Sequence, residues 1–358
     1  MTGGLRSRTP RSSRKPSLST SVFVCTEPIC MNTTEPSVFF NLWVEEAGGS
    51  VCPRRIHGKR GSNVGMLAEQ YIIVAVTTDN EKMSKVAVVK GERGHDPVFR
   101  ALDLIDYRSA LEGHDRVLVK VNFITKQRWD TGATTDPMVV EAIIRRLKEV
   151  PVEVIVVESD ATVTNATKAF EVTGMAEMCE RNGVEWMNLR HEKPRVELVV
   201  PDHKTLKTIK VPRIVTESAI ISAATMKTHS ETHVTLGMKN HFGLLPDKMK
   251  GKYHLRGMSK VITDIIKVLP PAVTVIDGFM AMEGRGPVGG DPVKMDTIIA
   301  GVDVVATDAT AARAMGFDPH RIPHISMAHE EGLGEIDDIE VLGDGLDAVK
   351  RTFKKARG

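Results

Sequence analysis

The sequence predicts an α/β fold, a mostly parallel sheet with helices on both faces, plus a small hairpin insertion near residues 196–211. Three observations carry that expectation. From Lys85 onward, apolar runs of strand length alternate with stretches of helical period, as β-α-β units require. The run Val117-Leu118-Val119-Lys120-Val121 is continuously apolar except for Lys120, which suits a strand buried on both faces. No apolar stretch reaches the roughly 18 residues of a membrane span, so runs such as Val152–Val157 are core strands.

The elements follow in order. Val86–Val89 reads as a strand, then a helix starts at about Asp96 with Pro97 in the first helical position. After the Val117 strand, Asp136-Pro137 supplies a cap and a first-turn proline for a helix running to about Val150. Val152–Val157 ends in Glu158-Ser159-Asp160. Gly174 separates helices near Asn165–Thr173 and Met175–Asn182, and Val184–Asn188 returns as a strand. Between Val196 and Val211 two strands flank Asp202-His203-Lys204, a hairpin pattern. Ala219–Ser222 is a strand, Ser259–Val268 a helix and Val273–Asp277 a strand. Helices over Asp308–Met315 and His324–Glu331 and a short strand at Ile339–Leu342 complete the pattern.

The chain has 358 residues and is 41% hydrophobic, enough for one large domain or two moderate ones. Residues 1–65 carry nine Arg or Lys against four Glu, so the overall charge of +2 hides a basic leader and a slightly acidic remainder. The first 20 residues are rich in Arg, Ser and Pro and contain no acid, a composition that stays disordered. The same composition fits a transit peptide, or a start assigned too far upstream with Met66 or Met83 as the first residue. The expected organisation is therefore a leader over 1–65 and an α/β core over 85–345, in one lobe or two. An acidic core and only 4% aromatic residues argue against nucleic acid as a partner. Three of the four cysteines lie in the leader, and Cys179 alone cannot hold a disulfide framework or a cysteine-ligated iron–sulfur cluster. Reducing cytoplasm is the expected compartment, without a membrane span; the sequence gives no oligomeric state.

In open parallel sheets, ligands sit beyond the carboxyl ends of the strands. Four strand ends deliver titratable side chains there. Asn122 and the loop Thr125–Thr135, with Lys126, Arg128 and Asp130, follow the Val117 strand. Glu158 and Asp160 follow Val152–Val157, and Lys227-Thr228-His229 follows Ala219–Ser222. Asp277-Gly278 and Met282-Glu283-Gly284-Arg285-Gly286-Pro287 follow Val273. The stretch Lys227–Gly243 is densest, with three His and two Lys in 17 residues. His229 and His233 would share a helix face as metal ligands, or Ser230-Glu231 opens a helix with His233 on its solvated side. Lys227 and Lys239 suit phosphate or carboxylate partners. Gly237 and Gly243 would let backbone approach a ligand, or relieve crowding. The glycine-rich Glu283–Gly290 loop could offer N–H groups to anions, but it is not a Walker loop, and no Gly-x-Gly-x-x-Gly follows the first strand. His254 could reach the same rim or lie solvated, and of Asp303 and Asp308 one caps the following helix while Asp308 suits the site.

At these residues the chain resembles the DUF362 proteins of bacteria and archaea, a family of unknown function. The motifs are Val121-Asn122, Thr134-Thr135-Asp136-Pro137, Glu158-Ser159-Asp160, Lys227-Thr228-His229 with Thr235, and Lys239-Asn240-His241-Phe242-Gly243. Asp277-Gly278, Met282–Pro287 and Asp303–Asp308 continue it, so the resemblance spans roughly Lys85 to Gly334. Many members add a cysteine-rich ferredoxin-like module; this sequence shows no such cysteine pattern, so an iron–sulfur cluster is not carried over.

The expected function is an enzyme of redox or group-transfer type acting on a small anionic ligand. His229, Lys227, Lys239 and Glu283 are its candidate catalytic residues. Asn122, Thr135, Asn240, Gly284, Arg285 and Gly286 are candidate substrate contacts, and Asp160, Asp277 and Asp308 would hold any metal ion. A non-catalytic cofactor carrier or ligand-binding protein using the same pocket is the alternative.

Overall fold

The computed structural model of the chain describes residues 83–356 with their side chains; the expectations for residues 1–65 lie outside them. Strands are β1 (Ser84–Lys90), β2 (Arg116–Lys120), β3 (Glu153–Glu158), β4 (Glu185–Asn188), β5 (Arg195–Val199), β6 (Thr208–Pro212), β7 (Ala219–His229), β8 (His233–Thr235), β9 (Val273–Glu283), β10 (Asp291–Gly301) and β11 (Ile339–Gly343). Helices are α1 (His95–Leu104), α2 (Pro137–Leu147), α3 (Ala166–Val172), α4 (Met175–Arg181), α5 (Arg213–Thr216), α6 (Gly237–Asn240), α7 (Gly251–His254), α8 (Met258–Val268), α9 (Val304–Ala314) and α10 (Pro323–Glu330).

Nine strands form one sheet in the order β11-β1-β10-β9-β7-β2-β3-β4, with β8 folded back on β7. All neighbours along that path are parallel except β10, which runs antiparallel to both β9 and β1. Period-2 alternation sends the strands' side chains to opposite faces. Val117, Val119 and Val156 join α1–α4 in one core, while Leu118, Ile155 and Val157 join β5, β6 and α8 in another. A third cluster packs Ala224, Met226 and Ile276 against α8–α10. The sheet is thus covered on both faces, and the β5–β6 pair is the antiparallel hairpin expected near 196–211.

Local chemistry explains the boundaries. Asp136 accepts the Met138 N–H and Pro137 opens α2. Asn165 caps α3 and Asp303 caps α9, so α9 begins four residues before Asp308 and leaves that carboxylate inside the helix. The Asp264 carboxylate on α8 accepts the N–H groups of Lys204, Thr205 and Leu206 at 2.6–2.8 Å, and so ties the hairpin to the helix layer.

Three expectations change. β7 and β9 run on for seven and six residues past the sequence estimates of Ser222 and Asp277, because hydrogen bonding to their neighbours continues through polar residues. β10 was not legible, since Pro292 and the mixed polarity of Asp291–Thr297 mask a strand that is buried from Thr297 to Gly301. Ser230-Glu231 opens no helix. It turns β7 into β8, with His229 and His233 as partners across the hairpin and His233 in the left-handed region at φ 64°.

From β2 the chain moves outward to β3 and β4 on one side, whereas from β7 it moves to β9 on the other. The carboxyl ends of the adjacent strands β2 and β7 therefore flank the topological switch point, where such sheets bind ligands.

Candidate functional site

A closed polar knot sits at that switch point. Lys120, the charge inside the apolar β2 run, is fully buried, and its ammonium lies 2.7 Å from Glu158 at the end of β3. It also donates to the Val121 carbonyl and to Asn240 Oδ1, so all three of its protons are engaged. The Glu158 carboxylate further accepts the N–H groups of Phe123 and Ser159. Asn240 is saturated: its Nδ2 donates to the Lys120 carbonyl and Ser222 Oγ, and its Oδ1 accepts from Lys120 and Asn122. Thr135 Oγ1 accepts the Asn122 N–H and donates to the Ala223 carbonyl, closing β2 onto β7. Asn240 and Thr135 thus build the wall of the site.

Next to the knot lie groups with hydrogen-bonding capacity left over. Lys227 is fully buried and donates to the Ala133 carbonyl at 2.5 Å; among the described residues its other two protons have no acceptor. Burial, and then the Lys239 charge, pull its pKa far below the ordinary lysine value. Lys239 on α6 makes no hydrogen bond among the described residues; burial lowers it to about 8, against an opposing pull from Glu231. It lies deep among protein atoms yet keeps part of its surface open. Lys250, from the lysine-rich loop, turns inward and donates to Ser159 Oγ at 2.8 Å; burial lowers it to about 8 as well. Asn122 Oδ1 and the hydroxyls of Thr225 and Thr235 are buried without partners. Three lysines, Lys120, Lys227 and Lys250, therefore feel one deeply buried carboxylate, that of Glu158, and Lys239 joins them through its repulsion with Lys120 and Lys227.

His229 closes the end of β7. Its Nδ1 accepts the N–H groups of Glu231 and Thr232 at 3.1 and 3.4 Å. Backbone N–H groups only donate, so Nδ1 is unprotonated and the ring proton sits on Nε2. Burial, then the charges of Lys239 and Lys227, lower the ring's pKa to about 2. His229 is thus a neutral ring whose Nε2–H donor makes no hydrogen bond among the described residues. His241 and His324 are also fully buried, with both ring nitrogens unpartnered and pKa values lowered by burial to about 3.

Gly237 and Gly243 serve the protein's own contacts. A Cβ on Gly243 would collide with the Lys120 ammonium and Glu158 Oε1, and one on Gly237 with Thr274 and Asp308. The remaining predicted residues divide. Glu283 Oε2 accepts the Lys354 N–H and its Oε1 lies 3.2 Å from Lys354 Nζ, while the Gly284 N–H donates to the Lys354 carbonyl. Gly286 packs against the Thr228 carbonyl and Arg285 is exposed, so this loop is tied to the end of β7 and to the C-terminal segment. His254 is exposed and paired with Glu231.

Asp160, Asp277 and Asp308 do not converge. Asp160 accepts the Ala166 N–H and Asn188 Nδ2. Asp277 accepts the N–H groups of Asp136 and Phe279, and burial followed by the Asp136 charge raises its pKa to about 7. Asp308 accepts the N–H groups of Gly237 and Met238, clamping the start of α6; burial raises it to about 7. Among the described residues no three His, Cys, Asp or Glu side chains form a set that could hold a metal ion.

Sequence reasoning passed over Lys120 and Lys250 as site residues. A lysine within an apolar strand was itself a signal, because a buried charge demands a partner. Lys250 gave none, since its neighbours Lys248 and Lys252 are solvated.

No helix among the described residues is long and apolar enough to cross a membrane. A thylakoid-associated protein of Synechocystis sp. is 28% identical to this chain over 226 residues, which cover 62% of this chain and 68% of the relative. The family described as a domain of unknown function, DUF362, matches residues 117–313, the span from β2 to the last turn of α9 that holds the lysine cluster and its carboxylate. The chain belongs to that family.

Proposed function

We propose that this protein is an enzyme that binds a small organic anion, phosphorylated or carboxylated, at the lysine cluster beside the switch point. The observation that carries this reading is the excess of clustered lysines, Lys120, Lys227, Lys239 and Lys250, over the Glu158 carboxylate. Buried like charges are relieved by losing a proton or by gaining an opposite charge, and a bound anion supplies the second. Lys227 and Lys239 hold the anion, Asn122 fixes its orientation, and the neutral His229 polarises an oxygen through Nε2–H rather than acting as a base. Such neutral donors serve to stabilise developing negative charge without a proton transfer. The reading uses no metal: each of Asp160, Asp277 and Asp308 is held by donors of its own in a different place.

The test is calorimetric titration of the full chain with inorganic phosphate, pyruvate and a panel of sugar phosphates, beside Lys239→Met. Saturable binding that weakens at least tenfold in the variant is the expected result. No saturable binding across the panel, or equal binding by the variant, would sink the proposal. If binding persists but no turnover of any bound compound is found, the non-catalytic carrier reading takes its place.

A second reading concerns location. The loop after the site exposes Met249 and Leu255, 79% and 92% open, beside the exposed Lys252 and Arg256. Apolar tips set among cations suit an anionic membrane surface, and the similar cyanobacterial protein is described as thylakoid-associated. Sedimentation with anionic vesicles, lost in Met249→Ser/Leu255→Ser, is the expected outcome; equal pelleting with neutral vesicles would remove this reading and leave the cytoplasm as the working compartment.

A further inference from the structure

We infer that Lys239 is a nucleophile that forms an imine with a carbonyl group on the anion bound at this lysine cluster, which makes the substrate class an oxo acid or a phosphorylated aldehyde or ketone. The inference deepens the anion-pocket reading and rests on it. Its basis is the difference among the four lysines. Lys120 donates to Glu158, Val121 and Asn240, Lys227 to Ala133, and Lys250 to Ser159. Each is held by the protein. Lys239 alone of the four makes no hydrogen bond among the described residues, and its side chain keeps open surface. Its backbone, in contrast, is rigidly placed. Asp308 captures the two N–H groups that start α6, Gly237 packs against Thr274 with no room for a methyl, and Asn240 is saturated in the next position. A free amine on a fixed turn is what nucleophilic catalysis by lysine needs.

The surroundings suit the chemistry. Burial and the Lys120 charge lower the Lys239 pKa to about 8, so a substantial fraction of the amine is neutral near pH 8. Lys227, which Lys239 reaches electrostatically, offers the anionic end of the ligand N–H donors beyond the one given to Ala133. His229 lies within the same electrostatic reach and offers Nε2–H to the carbonyl oxygen. In the reaction, the Lys239 Nζ lone pair attacks the carbonyl carbon and an N–H proton passes to the carbonyl oxygen, giving a carbinolamine. The hydroxyl then leaves with the remaining N–H proton as water, and the C=N bond forms. One amine and one carbonyl become one imine and one water, with no oxidant or reductant consumed.

The experiment incubates the full chain with glyoxylate or with pyridoxal 5′-phosphate, adds sodium borohydride, and maps the reduced adduct by peptide mass spectrometry, with and without competing inorganic phosphate. The expected result is one adduct on Lys239 with at least one probe, suppressed by phosphate and absent from Lys239→Arg, which keeps a positive charge but has no nucleophilic amine. Phosphate binding with no Lys239 adduct from either probe overturns the imine and leaves the anion pocket standing. Adducts that appear only on other lysines, or survive unchanged in Lys239→Arg, overturn it as well. Absence of both phosphate binding and adduct removes the pocket together with the imine.

Discussion

The Lys120 ammonium lies 2.7 Å from the Glu158 carboxylate with both side chains closed to solvent, and it is this pair that welds β2 to β3 at the switch point. Removing one partner leaves an uncompensated buried charge, which typically costs about 3–5 kcal/mol. Lys120→Met and Glu158→Gln are each expected to lower stability in urea titrations on that scale. The double variant should lose less than the sum of the two, because neither charge is then stranded. Additive losses would mean the pair is not coupled.

Gly243→Ala reports on the same knot. The added methyl would collide with both charged partners, whose positions are fixed by Val121, Phe123 and Ser159. Overpacking of this kind costs roughly 1–3 kcal/mol. A loss of stability with unchanged denaturant slope is expected, and a neutral outcome would show that the ion pair has room to move.

His229 is expected to stay neutral across the physiological range, with its proton on Nε2. Burial and the neighbouring lysines hold its pKa at about 2. Nitrogen-15 correlation spectra of the imidazole should therefore show one neutral tautomer, unchanged between pH 5 and 8. A titration in that window, or a proton on Nδ1, would contradict the hydrogen bonds from Glu231 and Thr232.

Lys239 makes two linked predictions. Anion affinity should be greatest below pH 8 and fall as the pH rises through about 8, where the ammonium is lost, approaching about tenfold per pH unit. Without ligand, the folded chain binds fewer protons than the unfolded chain between about pH 8 and the ordinary lysine value of 10.5. Stability therefore rises with pH across that window, and the full penalty of the buried charge applies below it. Lys239→Met should accordingly be more stable than the parent at pH 7, by roughly 1–3 kcal/mol, with the gain shrinking above pH 8. Thermal melts at pH 7 and pH 10 separate the cases; equal gains at both would show that burial, not charge, sets the difference.

Asp264 holds three N–H groups at the tip of the β5–β6 hairpin. Asp264→Ala should leave those donors without their charged acceptor and destabilise the hairpin by roughly 2–4 kcal/mol. Hydrogen exchange should rise first at Lys204, Thr205 and Leu206. Unchanged protection there would assign the hairpin's order to apolar packing instead.

Much of the architecture was legible because it rests on local and periodic terms. The continuous run at Val117, the Asp136-Pro137 cap and the Gly174 break each specify an element through a few neighbouring residues, and the structure keeps all three. The hairpin at β5–β6 was legible for the same reason. The strand β10 was not, because its place between β9 and β1 depends on partners far away in sequence that satisfy its backbone whatever its polarity. The turn after His229 was misjudged as a helix start, since a spacing of four suits either a helix face or a tight hairpin, and pairing with Lys227–His229 decides between them.

The sequence by itself determined the fold class and the strand ends that carry polar groups, because burial pattern and turn chemistry are written residue by residue. Only the tertiary structure decided which charges are satisfied and which remain open. It tied Lys120 to Glu158, turned Lys250 inward onto Ser159, placed Asp308 on the N–H groups of α6, and left Lys239 without a hydrogen bond of its own among the described residues. Hydrogen-bond partners and desolvation are properties of the packed interior, and no spacing along a chain fixes them.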